Sequence, residues 1–333
     1  MNAEFHYYAI HFLCLRAGFA ENDARTIATS SQYVDNALRS WAVADGEGIF
    51  VTEVTQNYVF WDEGTLKNIY LPFHFVPGDP ATANTQRRDG RASPYAVTPD
   101  SPLVKALLVE ALKERNLFRI GIALHSYADS YAHQHFSGRL EEANAVEGSS
   151  LLPPAGHLQA LRSPDDAMGL WEDPRLRPEY ARVDNRVRFL SAARKIYRYM
   201  CTYLRRGFKD EDFIIDELGS LWSSDRAGSR DMKARLADFT IEFDIAPYDR
   251  REWLSEAGIV DETADEGPFV GYDKYLWLKA EVARRSGGGA PPRIQTGGRF
   301  ANSSLKLWNE AARRHRSAAH NLMAAAGLSE ASA

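Results

Sequence analysis

Cysteine is nearly absent: the 333 residues hold two, Cys14 and Cys201, both inside apolar, helix-like stretches. That scarcity excludes a disulfide framework and leaves both residues to be read as small buried hydrophobes. No apolar run is long enough to span a bilayer, so no transmembrane segment is expected. The opening stretch MNAEFHYYAIHFLCLRAGF lacks a basic n-region, and Glu4, His6 and His11 interrupt any apolar h-region. No signal peptide is therefore expected, which makes the cytoplasm the default location and leaves signal-independent export open. Positive charge is not in excess either, the formal net charge being −5. Bulk electrostatic capture of nucleic acid needs the opposite balance, so no stable nucleic-acid complex is expected. A nuclease that grips a few phosphates through metals remains compatible with that charge. Internal repeats and low-complexity blocks are missing, and no Ser or Cys stands out as a nucleophile.

What is present suits an ordinary globular chain, with 44% hydrophobic and 26% charged residues, long enough for one large domain or two modest ones. Apolar positions at helical spacing predict helices over 5–17, 21–38, 103–115, 117–133, 179–206, 209–222, 229–243, 272–285 and 303–326. Asn22 or Asp23 is a plausible cap for the second of these. The stretch IFVTEVTQNYVF, residues 49–60, is β-branched and aromatic and suits a small hairpin. Prolines punctuate two irregular stretches, 77–102 and 136–180, and SGGGAPP at 286–292 reads as a flexible joint. The fold class expected is mainly α: a multi-helix bundle with a small hairpin and a helical C-terminal extension. Residues 1–175 would form one helical domain and 176–333 an extension packed on it, or the two would be continuous.

Polar chemistry is concentrated early, since seven of the nine histidines precede residue 158. The densest group is His125-Ser-Tyr-Ala-Asp129-Ser-Tyr-Ala-His133-Gln-His135. At about 100° per residue, His125 and Asp129 lie about 40° apart on one helix face, ready to clamp a metal. The same pair is equally compatible with a surface salt bridge. His133 and His135 fall about 80° to either side of His125, so one ion takes both only if the helix breaks. His11 reads as core or as support for a ligand, and His315 and His320 as part of a basic, solvated helix face. Tyr7, Tyr8, Tyr33, Tyr127 and Tyr131 flank the candidate positions, mostly as core.

GIALHSYADSYAHQH, residues 121–135, resembles the central helix of the zinc-dependent phospholipase C/single-strand nuclease superfamily. The resemblance implies a bundle around two or three zinc ions, other divalent metals being alternatives, with His125, Asp129 and His135 as ligands and Asp129 bridging two ions. His133 stands where that superfamily usually has proline, and is either a further polar group at the site or a helix-ender. FHFVPGD at 73–79 resembles the segment that supplies one His, here His74, and IATSSQYVD at 27–35 the helix that ends on an Asp, here Asp35. GHLQALRSPDD at 156–166 occupies the place of a further His and its acid. His157 fits, but position 161 is Leu, so Asp165 or Asp166 must substitute. His6 corresponds to an N-terminal-helix His, and Glu4 is a candidate stand-in for the α-amino ligand of the secreted members. The likeness covers about residues 4–175 and is nearest to a bacterial branch with FHYY, SQYVD and LHSYADSYAHQ motifs.

Such a cluster, with ions about 3.5–4 Å apart, suits hydrolysis of phosphate esters by metal-bound hydroxide. Asp35 and Asp129 are the expected catalytic carboxylates, and Arg87, Arg88 and Arg91 the expected clamp on substrate phosphate. The first expectation is a phospholipase C-like phosphodiesterase acting on a lipid or small phosphodiester. The alternatives are a single-strand nuclease or nucleotidase, and a non-catalytic metal-stabilised scaffold that binds a protein partner. Oligomeric state is left open.

Overall fold

The computed structural model describes residues 1–45, 48–146, 152–225, 228, 231–261, 279, 281–282 and 289–328. The chain opens with a π-helical turn, Glu4–Ala9, that runs straight into α1 (Ile10–Ala17). Gly18, at φ 104°, ends that helix, a left-handed position that a residue with a Cβ resists. α2 (Glu21–Asn36) follows from Ala20, which makes no side-chain cap. Asn22 and Asp23 thus lie inside the first turn, where Glu21 and Asp23 complement the helix dipole.

β1 (Ala42–Asp45) and β2 (Gly48–Val51) form the small hairpin, earlier than the 49–60 stretch suggests. Beyond Val51 the polar groups turn to the end of α2: Thr55 donates its N–H to the Ala37 carbonyl and its hydroxyl to that of Val34. A short helix, α3 (Glu63–Thr65), continues as a π-helical segment, Leu66–His74, with Pro72 inside it. Proline interrupts a helical ladder, which is why periodicity misses this element. Its freed carbonyls are met from elsewhere: Ser126 donates to Phe73 at 2.8 Å, and His315 Nε2 lies 3.0 Å from the Pro72 oxygen. His315 is therefore fully buried and not part of a solvated face.

The proline-rich stretch contains α4 (Pro80–Gln86), after which come α5 (Pro102–Glu114) and α6 (Leu117–Ala132). The expected 179–206 helix is divided: α7 (Pro178–Ala181) precedes a strand, and α8 (Asn185–Tyr203) starts behind an Asp184 cap. That strand, β4 (Arg182–Asp184), pairs antiparallel with β3 (Leu170–Glu172). α9 (Glu211–Leu221), α10 (Met232–Phe243), α11 (Glu252–Ala257) and α12 (Ser304–Ala325) complete the mainly helical architecture. β5 (Arg293–Ile294) lies parallel to β1. The helix expected at 272–285, and the glycines that begin the 286–292 joint, fall almost wholly outside the described residues.

The main core draws on both sides of residue 175: Phe5 meets Phe189 edge to face at 5.5 Å and stacks on Trp222 at 6.1 Å. Each such aromatic, fully buried, contributes roughly 1.5–3 kcal/mol. Cys14 and Cys201 sit in this core as free thiols, and burial pushes the Cys14 thiol up. α6 is buried from Arg119 to Ala132 and runs through the centre. Gly121 lets α2 lie directly on it, since a Cβ there would stand 2.3 Å from the Ile27 carbonyl oxygen. This close approach sets Asp35, near the end of α2, beside His125 on α6.

Candidate metal centre

α6 carries His125 and Asp129 one turn apart and inside the protein, with His125 Nε2 3.2 Å from Asp129 Oδ2. The π-helical opening of the chain adds His6, whose Nε2 is 3.1 Å from Asp129 Oδ1 and whose ring stacks on His125 at 3.8 Å. From the proline-broken helix, His74 turns Nδ1 to within 3.1 Å of His125 Nε2 and 3.3 Å of Asp129 Oδ2. Asp35 Oδ1 lies 3.8 Å from both imidazoles. On the far side, His133 Nε2 and His157 Nε2 approach Asp165 at 3.1 and 3.4 Å. Three groupings could therefore each hold a metal ion: His6–His125–Asp129, Asp35–His74–His125 and His133–His157–Asp165.

The spacing suits that role. Ligand atoms about 2.1 Å from a tetrahedral ion stand about 3.4 Å apart, close to the 3.1–3.8 Å separations observed here. Orientation agrees. His74 spends Nε2 on the Thr55 carbonyl at 2.8 Å, His133 Nδ1 on that of His74 at 2.8 Å, and His157 Nδ1 on that of Leu161 at 2.9 Å. A backbone carbonyl on one ring nitrogen fixes the tautomer and leaves the other bare, as metal-binding imidazoles require. In the remaining pair, buried Nδ1 atoms of His6 and His125 have no hydrogen-bond partner. His125 belongs to two groupings, so a single lone pair of its ring serves one ion at a time.

The amino group of Met1 lies in the middle, against Asp129 Oδ1 and 3.2 Å from Asp165 Oδ1. Burial opposes its charge, but Asp129, Asp165 and Asp35 together raise its pKa to about 10. The carboxylates respond in kind. Burial works against their charge as well, yet the amine and the histidines hold Asp129 and Asp165 far below the ordinary carboxylate range. His6, buried and beside His125, is pushed down to about 3 despite Asp129, so its ring is neutral.

A family model described as a family of unknown function, DUF6765, matches residues 1–323. The chain belongs to that family. Nothing among the curated proteins and nothing among the solved structures matches it. The DUF6765 match runs through all three groupings and on to within two residues of the end of α12.

In this DUF6765 chain the structure brings together His6, Asp35, His74, His125, Asp129, His157 and Asp165, and adds His133 to them. It places His135 elsewhere. α6 stops at Ala132, and His135, at φ 67°, donates its N–H to the Val97 carbonyl and turns away. Burial and the nearby Arg188 and Arg175 push that imidazole down to about 3. Glu4 lies outside every grouping because its buried carboxylate is taken by Arg235 at 2.6 and 2.7 Å and by the Trp222 indole at 2.7 Å. Asp166, half exposed, also goes to Arg235, at 3.2 Å.

Two of the three expected phosphate-clamping arginines are occupied and the third stands at the surface. Arg87 forks onto Asp89 at 2.9 and 3.0 Å, Arg88 donates to the Leu176 carbonyl, and Arg91 is exposed. None lines the cavity of about 530 Å³ that opens over the centre. That cavity is walled by Tyr58, Phe60, Tyr70, Leu158, Leu161 and Arg162, with Asp35, His74, Asp129, His133, His157 and Asp165 on the side of the three groupings. Arg162 carries no pattern in the sequence that marks it, and the resemblance points to Glu4 where the structure sets the Met1 amine. Each is recognised only by where the chain delivers it.

A direct comparison separates the neighbouring histidines. His133→Ala should cost the protein the ion of the third grouping, one equivalent by elemental analysis, whereas His135→Ala should keep the full complement. Equal metal content in the two variants would remove His133 from the centre.

Proposed function

We propose that this DUF6765 chain is a zinc-dependent phosphoric ester hydrolase whose centre is of the phospholipase C/single-strand nuclease kind. The observation that supports this best is the position of the three His/Asp groupings on one side of a cavity of about 530 Å³, a size suited to a small ligand. A purely structural metal site is closed by protein on every side, and an adjoining cavity favours chemistry over a scaffold. Imidazole and carboxylate donors without thiolate fit zinc better than the oxygen-seeking magnesium or calcium. Zinc, when bound, would polarise the phosphoryl group and make water acidic enough to attack at neutral pH.

The chain's own residues divide the remaining work. Asp129, with its two oxygens facing different imidazoles, would hold adjacent ions together. Asp35, less deeply buried and on the cavity wall, would orient the attacking water and accept its proton at the carboxylate. The carbonyls of Thr55, His74 and Leu161 hold His74, His133 and His157 in the binding tautomer. Tyr58, Phe60 and Tyr70 give the cavity an aromatic wall. That wall also supports a nuclease or nucleotidase, because bases stack on such rings without sequence preference.

One assay tests these readings together. Zinc-loaded protein should hydrolyse a chromogenic phosphodiester, and should be compared on phosphatidylcholine vesicles, single-stranded DNA and RNA. Turnover of vesicles over nucleic acid supports the lipase-like reading, the reverse supports the nuclease. No turnover of any of them by metal-replete protein would return the centre to a structural role.

A further inference from the structure

Among the described residues, Arg162 is the one arginine or lysine that lines the cavity. It is exposed, and no carboxylate of the described residues pairs with it. Its charge reaches the Tyr58 phenol, which also feels Asp35, so Arg162 and the metal-binding side address the same part of the cavity.

The backbone around Arg162 is tied to the candidate ligands on both sides. The carbonyl of Leu161 accepts the bond from His157 Nδ1 at 2.9 Å, and the carbonyl of Arg162 accepts the N–H of Asp165 at 3.0 Å. Leu161 has φ 54° and ψ −124°, a conformation that a residue with a Cβ avoids. Strain of this kind, of order 1–3 kcal/mol, persists where the surroundings over-determine the chain, and it clusters at functional sites. Here the over-determination comes from the His157 imidazole and the Asp165 backbone N–H, so the residues that place these two candidate ligands also order the turn that carries Arg162.

We propose that Arg162 is the substrate-recognising cation of this site, engaging the phosphate group of the ester from the cavity wall in the role expected from the sequence for Arg87, Arg88 and Arg91. The inference rests on the phosphoesterase reading for its substrate class. The guanidinium presents paired N–H donors that match two oxygens of a phosphate, whereas the wall around it, Gln56 apart, is aromatic or aliphatic. Substrate anion would thus be held from two directions, by the His/Asp centre and by a turn whose geometry that centre fixes.

The test uses full-length, zinc-loaded protein with inorganic phosphate as the probe, followed by calorimetry, beside steady-state kinetics on the chromogenic phosphodiester. Arg162→Ala should weaken phosphate binding roughly 10- to 100-fold, the range expected for losing charge-assisted hydrogen bonds. Zinc content should stay unchanged, and KM should rise more than kcat falls. Arg162→Lys should recover part of the loss, because it restores charge without the fork. Phosphate binding as tight in Arg162→Ala as in the parent would overturn the proposal, and if that protein still hydrolyses the ester the phosphoesterase reading survives alone. Arg162-dependent phosphate binding by a protein that hydrolyses nothing would support the anion site and sink the hydrolase. Failure of the metal-replete parent to bind phosphate would overturn both.

Discussion

Asp129→Asn should abolish hydrolysis and lower the bound metal by at least one equivalent. The carboxylate is buried, faces His6 through Oδ1 and His74 and His125 through Oδ2, and keeps company with the Met1 amine. The amide preserves its shape but removes the carboxylate of the first grouping, which also faces His74 of the second. One of its two atoms also becomes a donor, which cannot ligate a metal and cannot accept from the Met1 amine. The buried Met1 amine would keep Asp165 at 3.2 Å but lose its nearest carboxylate, so the melting temperature of the metal-free variant should fall as well. Asp35→Asn provides the control, since that residue stands at the cavity wall and touches fewer partners. It should lose most activity while keeping more of the metal and nearly all of the stability. Metal analysis, calorimetry and the phosphodiester assay on both variants check the ranking. Full metal content in Asp129→Asn would displace Asp129 from the bridging position.

Stripping the metal with chelator should lower the melting temperature by roughly 10 °C, the shift expected when ligands bound far above their Kd are withdrawn from a protein of this size. Zinc should restore it. The stripped protein should also acquire a distinct pH dependence. The Met1 amine, raised from 8.0 to about 10 by its acidic neighbours, contributes stability that is complete below pH 8 and lost as pH rises through about 10. That shift corresponds to roughly 2–3 kcal/mol. Asp129 and Asp165, held low in the fold, contribute stability that is present above pH 4 and lost only as strong acid protonates them. Urea midpoints of the metal-free protein should therefore be highest between about pH 6.5 and 8 and fall on both sides, on the alkaline side with the amine and on the acid side because His6 and His135, pushed down to about 3 in the fold, take up protons below about 6.5 only on unfolding. A midpoint unchanged from pH 8 to 10.5 would mean that the amine is not buried between these carboxylates.

The sequence by itself determined most of the helices and the heart of the centre. Helix periodicity located α1, α2, α5, α6 and α8 to α10 because each buries one continuous apolar face, and the same 100° step put His125 and Asp129 on one side of α6. Within one regular element, spacing along the chain is spacing in space. It ceases to be so where the element ends. Whether His133 or His135 meets Asp165 depended on α6 stopping at Ala132 and on the left-handed turn at His135. Pro72 hid the helix that carries His74, since proline breaks the pattern expected of a helix while Ser126 and His315, distant in the chain, meet the carbonyls of its last turn.

Charged groups were decided only by tertiary structure. Glu4 became half of a buried ion pair because Arg235, 231 residues away, reached it first, and Arg87 was claimed by Asp89 two residues on. Arg162 faces the cavity because His157 and Asp165 anchor the carbonyls on either side of it. A carboxylate or guanidinium has the same intrinsic affinity wherever it stands in a sequence. Which partner satisfies it, and whether it is left to meet a ligand, is settled by the packing of elements that no local pattern encodes.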